Sequence, residues 1–173
     1  VNAGVQNDFD WPGGKIYCYT GIIKYLDNEA LLAGVMAHEI AHIHWRHSTG
    51  QMTKKYGISA LQQVVLGNNS NEILSLVGQV SGKLGGLAFS RSDEIEADAT
   101  AVKFLSHTDY NPLGVAGFFE KLEVEQQSTG KTPSFLSTHP SPENRIGKIR
   151  EAWVANGSKK GNDYADRYAQ IKK

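Results

Sequence analysis

The stretch HEIAHIHWRH, residues 38–47, places four histidines and a glutamate within ten positions. A helix turns by about 100° per residue, so His38 and His42 lie about 40° apart on one face, where both imidazoles can bind one metal ion. Glu39 is rotated by about 100° from His38, which keeps it off the metal but lets its carboxylate reach a metal-bound water. This HExxH spacing predicts a zinc-activated water with Glu39 as its general base.

The other two histidines of this stretch are expected to lie outside such a site. His44 is rotated by about 120° from His38, and His47 would lie on the opposite face of an unbroken helix. We therefore expect both at the surface or at the helix end, where a histidine complements the helix dipole. The residues after His42 lack the Gly and His of the longer metzincin motif. A third metal ligand must therefore come from elsewhere in the chain.

The segment SRSDEIEADATA, residues 90–101, can supply that ligand. Glu94 and Asp98 have the same four-residue spacing as the histidine pair. One carboxylate can therefore bind the metal while the other accepts the free ring N–H of a ligand histidine. Glu96 is rotated by about 200° from Glu94 and should point away. The alternative is an ordinary acidic helix start, although the interspersed alanines favour close packing against another helix.

Helical patterns carry most of these residues. Helices are predicted over residues 29–48, 91–107, 111–127 and 142–157, with one or two more within 57–87. Asp27 or Asn28 is the expected cap of the first helix, and Ser90 or Ser92 that of the second. The first helix is apolar on nearly every side, which predicts a position in the middle of the domain.

Residues 15–23, KIYCYTGII, follow a WPGG turn and are predicted to form a strand. Its edge could pair with an extended peptide substrate, and the alternative is an interior strand of a small sheet. The predicted class is α+β, mainly helical. We expect one catalytic domain over 1–157 and a polar tail over 158–173 that frays or packs lightly.

Composition excludes several classes of protein. The 18 basic and 18 acidic residues give a net charge of zero, so nucleic acid is not an expected partner. Cys18 is the single cysteine, which rules out an intrachain disulfide. No apolar run approaches the ~20 residues that span a bilayer. An export signal or anchor upstream of Val1 would lie outside the printed sequence.

Three motifs in one order carry a family resemblance: HEIAH, then SRSDEIEAD about fifty residues later, then STHPSPENRI at 137–146. Over most of residues 11–150 the chain resembles the gluzincin zinc metallopeptidases, the family of HtpX, the CAAX prenyl protease and BepA. The resemblance implies a zincin-like fold with a small β-sheet packed on the active-site helix. It also implies a Zn²⁺-dependent metalloendopeptidase.

The resemblance further implies the role of each site residue. The zinc ligands would be His38, His42 and Glu94. Glu39 would be the general base, and Asp98 would hold a ligand histidine in place. His139, in the THP loop, would face the site or swing to the metal, and as a fourth ligand it would displace the catalytic water and keep the enzyme latent. Arg145 is the candidate for stabilising the developing oxyanion.

The expected substrate is an unfolded or misassembled polypeptide. The expected location is periplasmic or envelope-associated, with membrane association or a lipid anchor supplied by an N-terminal segment. Residues 57–87 are too polar and too rich in Gly and Asn for the transmembrane helices of the HtpX branch. One alternative is a chaperone-like envelope assembly factor with a zinc site and low peptidase activity. A purely structural zinc site is disfavoured because it has no use for Glu39.

Overall fold

The structure is a computed structural model that describes residues 8–11, 14–54, 57 and 88–172. This part of the chain is mainly helical with one small β-hairpin, which confirms the α+β class. Its elements are β1 (Asp8–Trp11), β2 (Lys15–Cys18), α1 (Thr20–Tyr25), α2 (Glu29–His44), α3 (Arg91–Ser106), α4 (Gly114–Thr129), a 3₁₀ helix (Ser134–Ser137), α5 (Arg145–Ala155) and α6 (Ala165–Ile171). The helices predicted within 57–87 lie outside the described residues, apart from residue 57. No described helix is both long and apolar enough to cross a membrane.

The hairpin is shorter than the predicted strand. β1 and β2 pair antiparallel, with Asp8 opposite Cys18, and β1 lies against α2. The prediction of a strand to residue 23 is wrong, because Thr20–Tyr25 forms α1. This helical turn places Ile22 fully inside the core. Burial of that side chain outweighs the β propensity of the segment.

Helix α2 is the central element and packs against both α3 and α4. Asn28 caps it, since its Oδ1 accepts from the backbone N–H of Leu31 at 2.9 Å. The helix ends at His44, four residues earlier than predicted. Arg46 adopts a left-handed conformation with φ of 58°, and residues 47–54 are again helical. The chain therefore turns sharply just after the HExxH motif.

Small residues let α2 and α4 approach closely. A Cβ placed on Gly114 would lie 2.1 Å from the carbonyl oxygen of Ala30, and one on Gly34 would lie 2.7 Å from the backbone nitrogen of Val115. Only glycine fits at such distances. The crossing fixes α2, and with it the histidine pair, against the core.

Helices α3 and α5 begin at well-defined caps. In α3 the backbone N–H of Asp93 donates to Ser90 Oγ, and the Asp93 side chain accepts from the backbone N–H of Ser90, a capping box. Helix α5 begins at Arg145 rather than at Pro142, because Asn144 is left-handed with φ of 53°. Arg145 is thereby the first residue of α5, and the helix packs against α3.

The C-terminal segment packs more firmly than expected. Tyr168 of α6 is only 1% exposed, and its hydroxyl donates to the carbonyl of Ile23 at 2.7 Å. The backbone N–H of Ala30 donates to the carbonyl of Asp163 at 3.2 Å. The expectation of a loose tail is wrong, because one aromatic ring of this polar segment completes the core. The domain boundary at 157 stays a prediction.

Candidate metal centre

Four buried side chains from three segments converge beside the core. His38 and His42 come from α2, Glu94 from α3, and His139 from the loop after the 3₁₀ helix. One ligand atom of each residue lies within 4.8 Å of the others. None of the four is more than 1% exposed. The structure thus brings together the three predicted metal ligands and adds the THP-loop histidine.

The ligand atoms face one another. Nε2 of His38 lies 3.0 Å from Nε2 of His42, 3.4 Å from Oε2 of Glu94 and 3.3 Å from Nδ1 of His139. Oε1 of Glu94 lies 3.5 Å from Nε2 of His42 and 3.1 Å from Nδ1 of His139. Three imidazoles and one carboxylate are a donor set that can hold a metal cation.

Glu39 lies next to this cluster rather than in it. Its side chain is fully buried, and Oε1 lies 3.5 Å from Nε2 of His139. His139 therefore stands between Glu39 and the ligand atoms, with one ring nitrogen toward each. This placement agrees with the rotation expected for the second residue of HExxH.

Asp98 and Arg145 lie behind the ligands. Oδ1 of Asp98 is 2.9 Å from Nδ1 of His38, the kind of contact that the family resemblance implies for Asp98. Arg145 donates from Nε to Oδ2 of Asp98 at 2.8 Å and from Nη2 to Oε2 of Glu94 at 2.7 Å. Its guanidinium carbon lies 3.5 Å from the ring centroid of Phe119. Two of the three guanidinium nitrogens are thus engaged by the carboxylates of α3.

Burial and charge set the protonation of the cluster. Burial lowers the pKa of His38, but the carboxylates of Asp98 and Glu94 outweigh burial and raise it to about 9. Burial and the neighbouring His38 lower the pKa of His42 to about 2. Burial raises the pKa of Glu94, but His139 and the α2 histidines outweigh it and hold the pKa well below its usual range. Glu94 is thus an anion among imidazoles, which suits a bound cation.

Aromatic side chains that the sequence reasoning missed enclose the cluster. Phe89 stacks on His42 with ring centroids 4.0 Å apart, and Phe135 stacks on His139 at 4.3 Å. The backbone N–H of Phe89 donates to the carbonyl of Thr138 at 3.0 Å. These rings exclude water from two of the ligands. Neither phenylalanine belongs to a spaced motif, so the sequence held no signal for them.

His47 lies outside the four-residue cluster, as predicted, but the prediction that it lies at the surface is wrong. It is 8% exposed, its Nδ1 lies 2.9 Å from Nδ1 of His42, and its Nε2 lies 3.1 Å from Oε2 of Glu96. The expectation assumed one unbroken helix, whereas the turn at Arg46 brings His47 back toward α2. His44 is exposed as predicted, and Glu96 is exposed and points away from the ligand atoms.

Comparison with known proteins gives a family match. The family model for peptidase family M48 matches residues 2–153. The beta-barrel assembly-enhancing protease of Escherichia coli (strain K12) is 31% identical over 159 residues, which cover 87% of this chain and 33% of that protein.

Two further relatives share the same region. The mitochondrial metalloendopeptidase OMA1 of Schizosaccharomyces pombe is 35% identical over 158 residues, covering 89% of this chain and 45% of that protein. The metalloprotease YcaL of Escherichia coli (strain K12) is 28% identical over 155 residues, covering 87% of this chain and 59% of that protein. The chain therefore spans only part of the length of each of these relatives.

Proposed function

The chain belongs to peptidase family M48, and from this premise we propose that it is a zinc-dependent metalloendopeptidase acting on unfolded or misassembled proteins. The observation that carries the proposal is the convergence of His38, His42 and Glu94 on one point, with Glu39 buried beside it. Two imidazoles, a carboxylate and an adjacent carboxylate base are what zinc-assisted peptide hydrolysis requires.

The spacing of the donor atoms supports zinc. Zn²⁺ binds nitrogen and oxygen ligands at about 2.0–2.2 Å, so the ligand atoms of a tetrahedral site lie about 3.4 Å apart. Nε2 of His38 lies 3.0 Å from Nε2 of His42 and 3.4 Å from Oε2 of Glu94, and Nε2 of His42 lies 3.5 Å from the other carboxylate oxygen, Oε1 of Glu94. A cation of this size therefore fits with little movement of the side chains.

The residues around the metal would each have a separate role in hydrolysis. A zinc ion held by His38, His42 and Glu94 would supply Lewis acidity for the scissile carbonyl and for the attacking water. Glu39 takes the proton of the attacking water and later passes it to the leaving amine. Asp98 accepts from Nδ1–H of His38, which fixes the tautomer that presents Nε2 to the metal.

Arg145 is best supported as a positioning residue. Its Nε and Nη2 bind Asp98 and Glu94, so it holds both carboxylates in their orientation toward the histidines. The oxyanion role that the family resemblance implies for Arg145 stays a prediction.

His139 is proposed as a fourth ligand in a resting state. Its Nδ1 lies 3.3 Å from Nε2 of His38 and 3.1 Å from Oε1 of Glu94, within the same range of distances as the other ligands. A fourth protein ligand would fill the position that a catalytic zinc keeps open. Such a site is latent until His139 withdraws.

Substrate class and location are proposed from the relatives. One relative is named for β-barrel assembly, which supports polypeptides that have failed to assemble as substrates and an envelope location, with a lipid anchor or other membrane attachment. Relatives named as mitochondrial support the same protease chemistry in another compartment.

The test pairs metal analysis with cleavage of unfolded casein by the purified chain. We expect about one zinc per chain, and cleavage that a chelator abolishes and zinc restores. Glu39→Gln should keep the zinc and lose on the order of 10²–10⁴-fold in kcat. Full activity of Glu39→Gln, or a chain that binds no zinc, would refute the proposal.

A second candidate function is a chaperone-like assembly factor with low peptidase activity. The observation in its favour is that His139 lies where it can occupy the fourth coordination position of the metal. The Glu39→Gln variant separates the two functions in cells. If it replaces the wild-type protein fully, assembly rather than hydrolysis is the main activity.

A further inference from the structure

The ligand histidine His42 is held from the side opposite the metal cluster. Its Nδ1 lies 2.9 Å from Nδ1 of His47, and Nε2 of His47 lies 3.1 Å from Oε2 of Glu96. We infer that His47 and Glu96 form a hydrogen-bonded relay that positions His42 as a metal ligand. This inference rests on the proposed metal site.

The relay fixes every proton along its length. When Nε2 of His42 presents its lone pair to a cation, the neutral ring carries its proton on Nδ1. That N–H donates to the lone pair of His47 Nδ1, so the proton of His47 lies on Nε2 and donates to the Glu96 carboxylate. A carboxylate at the end of the chain makes the ligand nitrogen of His42 more basic.

The relay gives His42 the kind of partner that the other ligands already have. Nδ1 of His38 faces Asp98, and Oε2 of Glu94 accepts from Arg145. The outward partner of His42 is His47. Each ligand from the helices is thus oriented by a second polar side chain.

The backbone is shaped to bring His47 to this place. Arg46 adopts a left-handed φ of 58°, which is uncommon for a residue with a Cβ. The indole Nε1 of Trp45 donates to Thr100 Oγ1 at 2.9 Å, which anchors the turn on α3. Gln51 Nε2 donates to Asp93 Oδ2 at 2.9 Å and fixes the helical residues 47–54 to the same helix.

The test measures metal affinity and the ligand field rather than activity alone. His47→Leu removes the acceptor of His42 Nδ1–H, whereas in His47→Asn the amide oxygen can replace it. We expect His47→Leu to weaken Zn²⁺ binding by about 10- to 100-fold in competition with a chelating dye. His47→Asn should regain most of that affinity. The visible absorption bands of the Co²⁺-loaded protein should shift in His47→Leu and return toward wild type in His47→Asn.

Two control variants separate positioning from packing. His44→Leu changes an exposed histidine at the end of α2, and His107→Leu changes an exposed histidine just after α3. Both should leave the Zn²⁺ affinity and the Co²⁺ spectrum unchanged. The inference is overturned if His47→Leu matches these controls, or if His47→Asn loses as much affinity as His47→Leu.

If His47→Leu does not fold, substitutions of Glu96 at the exposed end of the relay still test the inference. Glu96 is on the surface, and Glu96→Ala should weaken Zn²⁺ binding several-fold while Glu96→Gln has a smaller effect. An unchanged affinity and Co²⁺ spectrum in Glu96→Ala would then overturn the relay. Failure of the wild-type chain to bind zinc or cleave casein would instead reject the proposed function, so the two failures are distinguishable.

Discussion

Nη2 of Arg145 donates to Oε2 of Glu94 at 2.7 Å and to Oδ1 of Asp98 at 2.8 Å. One guanidinium therefore ties together a metal-ligand carboxylate and the carboxylate that orients His38. Both carboxylates are buried, so loss of the fork geometry of Arg145 would leave buried charge without its partner.

Replacing Arg145 by lysine should weaken both metal binding and folding. Lysine keeps the charge but lacks the planar fork of donors with which Arg145 binds the two carboxylates. We expect Arg145→Lys to lower the unfolding free energy by about 3 kcal/mol in a denaturant titration and Zn²⁺ affinity by about 10-fold or more. Arg150→Lys is the matched control, because the Arg150–Glu120 pair is exposed and should contribute less than about 1 kcal/mol. Equal effects of the two variants would contradict this account of Arg145.

Removing His139 should uncouple metal affinity from activity. With one ligand lost, His139→Ala should bind Zn²⁺ more weakly, yet cleave casein faster per bound zinc because the fourth position is open. The measurement is initial cleavage rate against zinc occupancy, with the exposed His107→Ala as control. If His139→Ala retains zinc but loses cleavage, His139 acts in catalysis and not as a latch.

The crossing of α2 and α4 should not tolerate a methyl group. A Cβ on Gly114 would meet the backbone of Ala30, so Gly114→Ala forces the helices apart. We expect a loss of about 1–3 kcal/mol in unfolding free energy and weaker Zn²⁺ binding. Gly50→Ala is the control, since nothing lies within 4 Å of its added Cβ. That variant should be neutral or more stable by about 0.4–1 kcal/mol.

The pair between Glu29 and Arg167 should make attachment of α6 depend on pH. Hydrogen bonding from Arg167 lowers the pKa of Glu29 from its usual value, so the folded state favours the carboxylate. The stabilisation by this pair is fully present at pH values above the pKa of Glu29 in the unfolded chain. It is lost as the pH falls through the lower pKa of Glu29 in the folded protein. Glu29→Gln should therefore melt at a lower temperature than wild type at pH 7, and the difference should shrink toward pH 3.

The control for this pH prediction is Glu123→Gln, on the exposed face of α4. Its melting temperature should equal that of the wild type at both pH values. A Glu29→Gln deficit that persists unchanged at pH 3 would show that packing, and not the ion pair, attaches α6.

Helical periodicity explains what the sequence could predict about the site. His38 with His42, and Glu94 with Asp98, are each four residues apart within one helix, so local geometry alone sets which side chains share a face. The convergence of the two pairs needed only that the helices pack. The capping residues Asn28 and Ser90 could likewise be predicted, because a cap depends on its immediate neighbours.

The errors come from features that no short pattern encodes. The turn that redirects His47 has Arg46 rather than glycine in the left-handed position, so it carries no sequence signature. Helix α1 and the docking of Tyr168 depend on the core that receives Ile22 and that ring, which is a property of the assembled fold. Phe89 contacts His42 across a long separation in the chain for the same reason.

The backbone contact at Gly114 also bears on how the imidazoles meet a cation. Helix α2 cannot slide or rotate without moving the chain of α4 that rests on it. The position of the two α2 imidazoles relative to the core is therefore set during folding and not by the arriving ion. Binding then requires little reorganisation of the protein, which preserves affinity that a mobile site would lose to ordering.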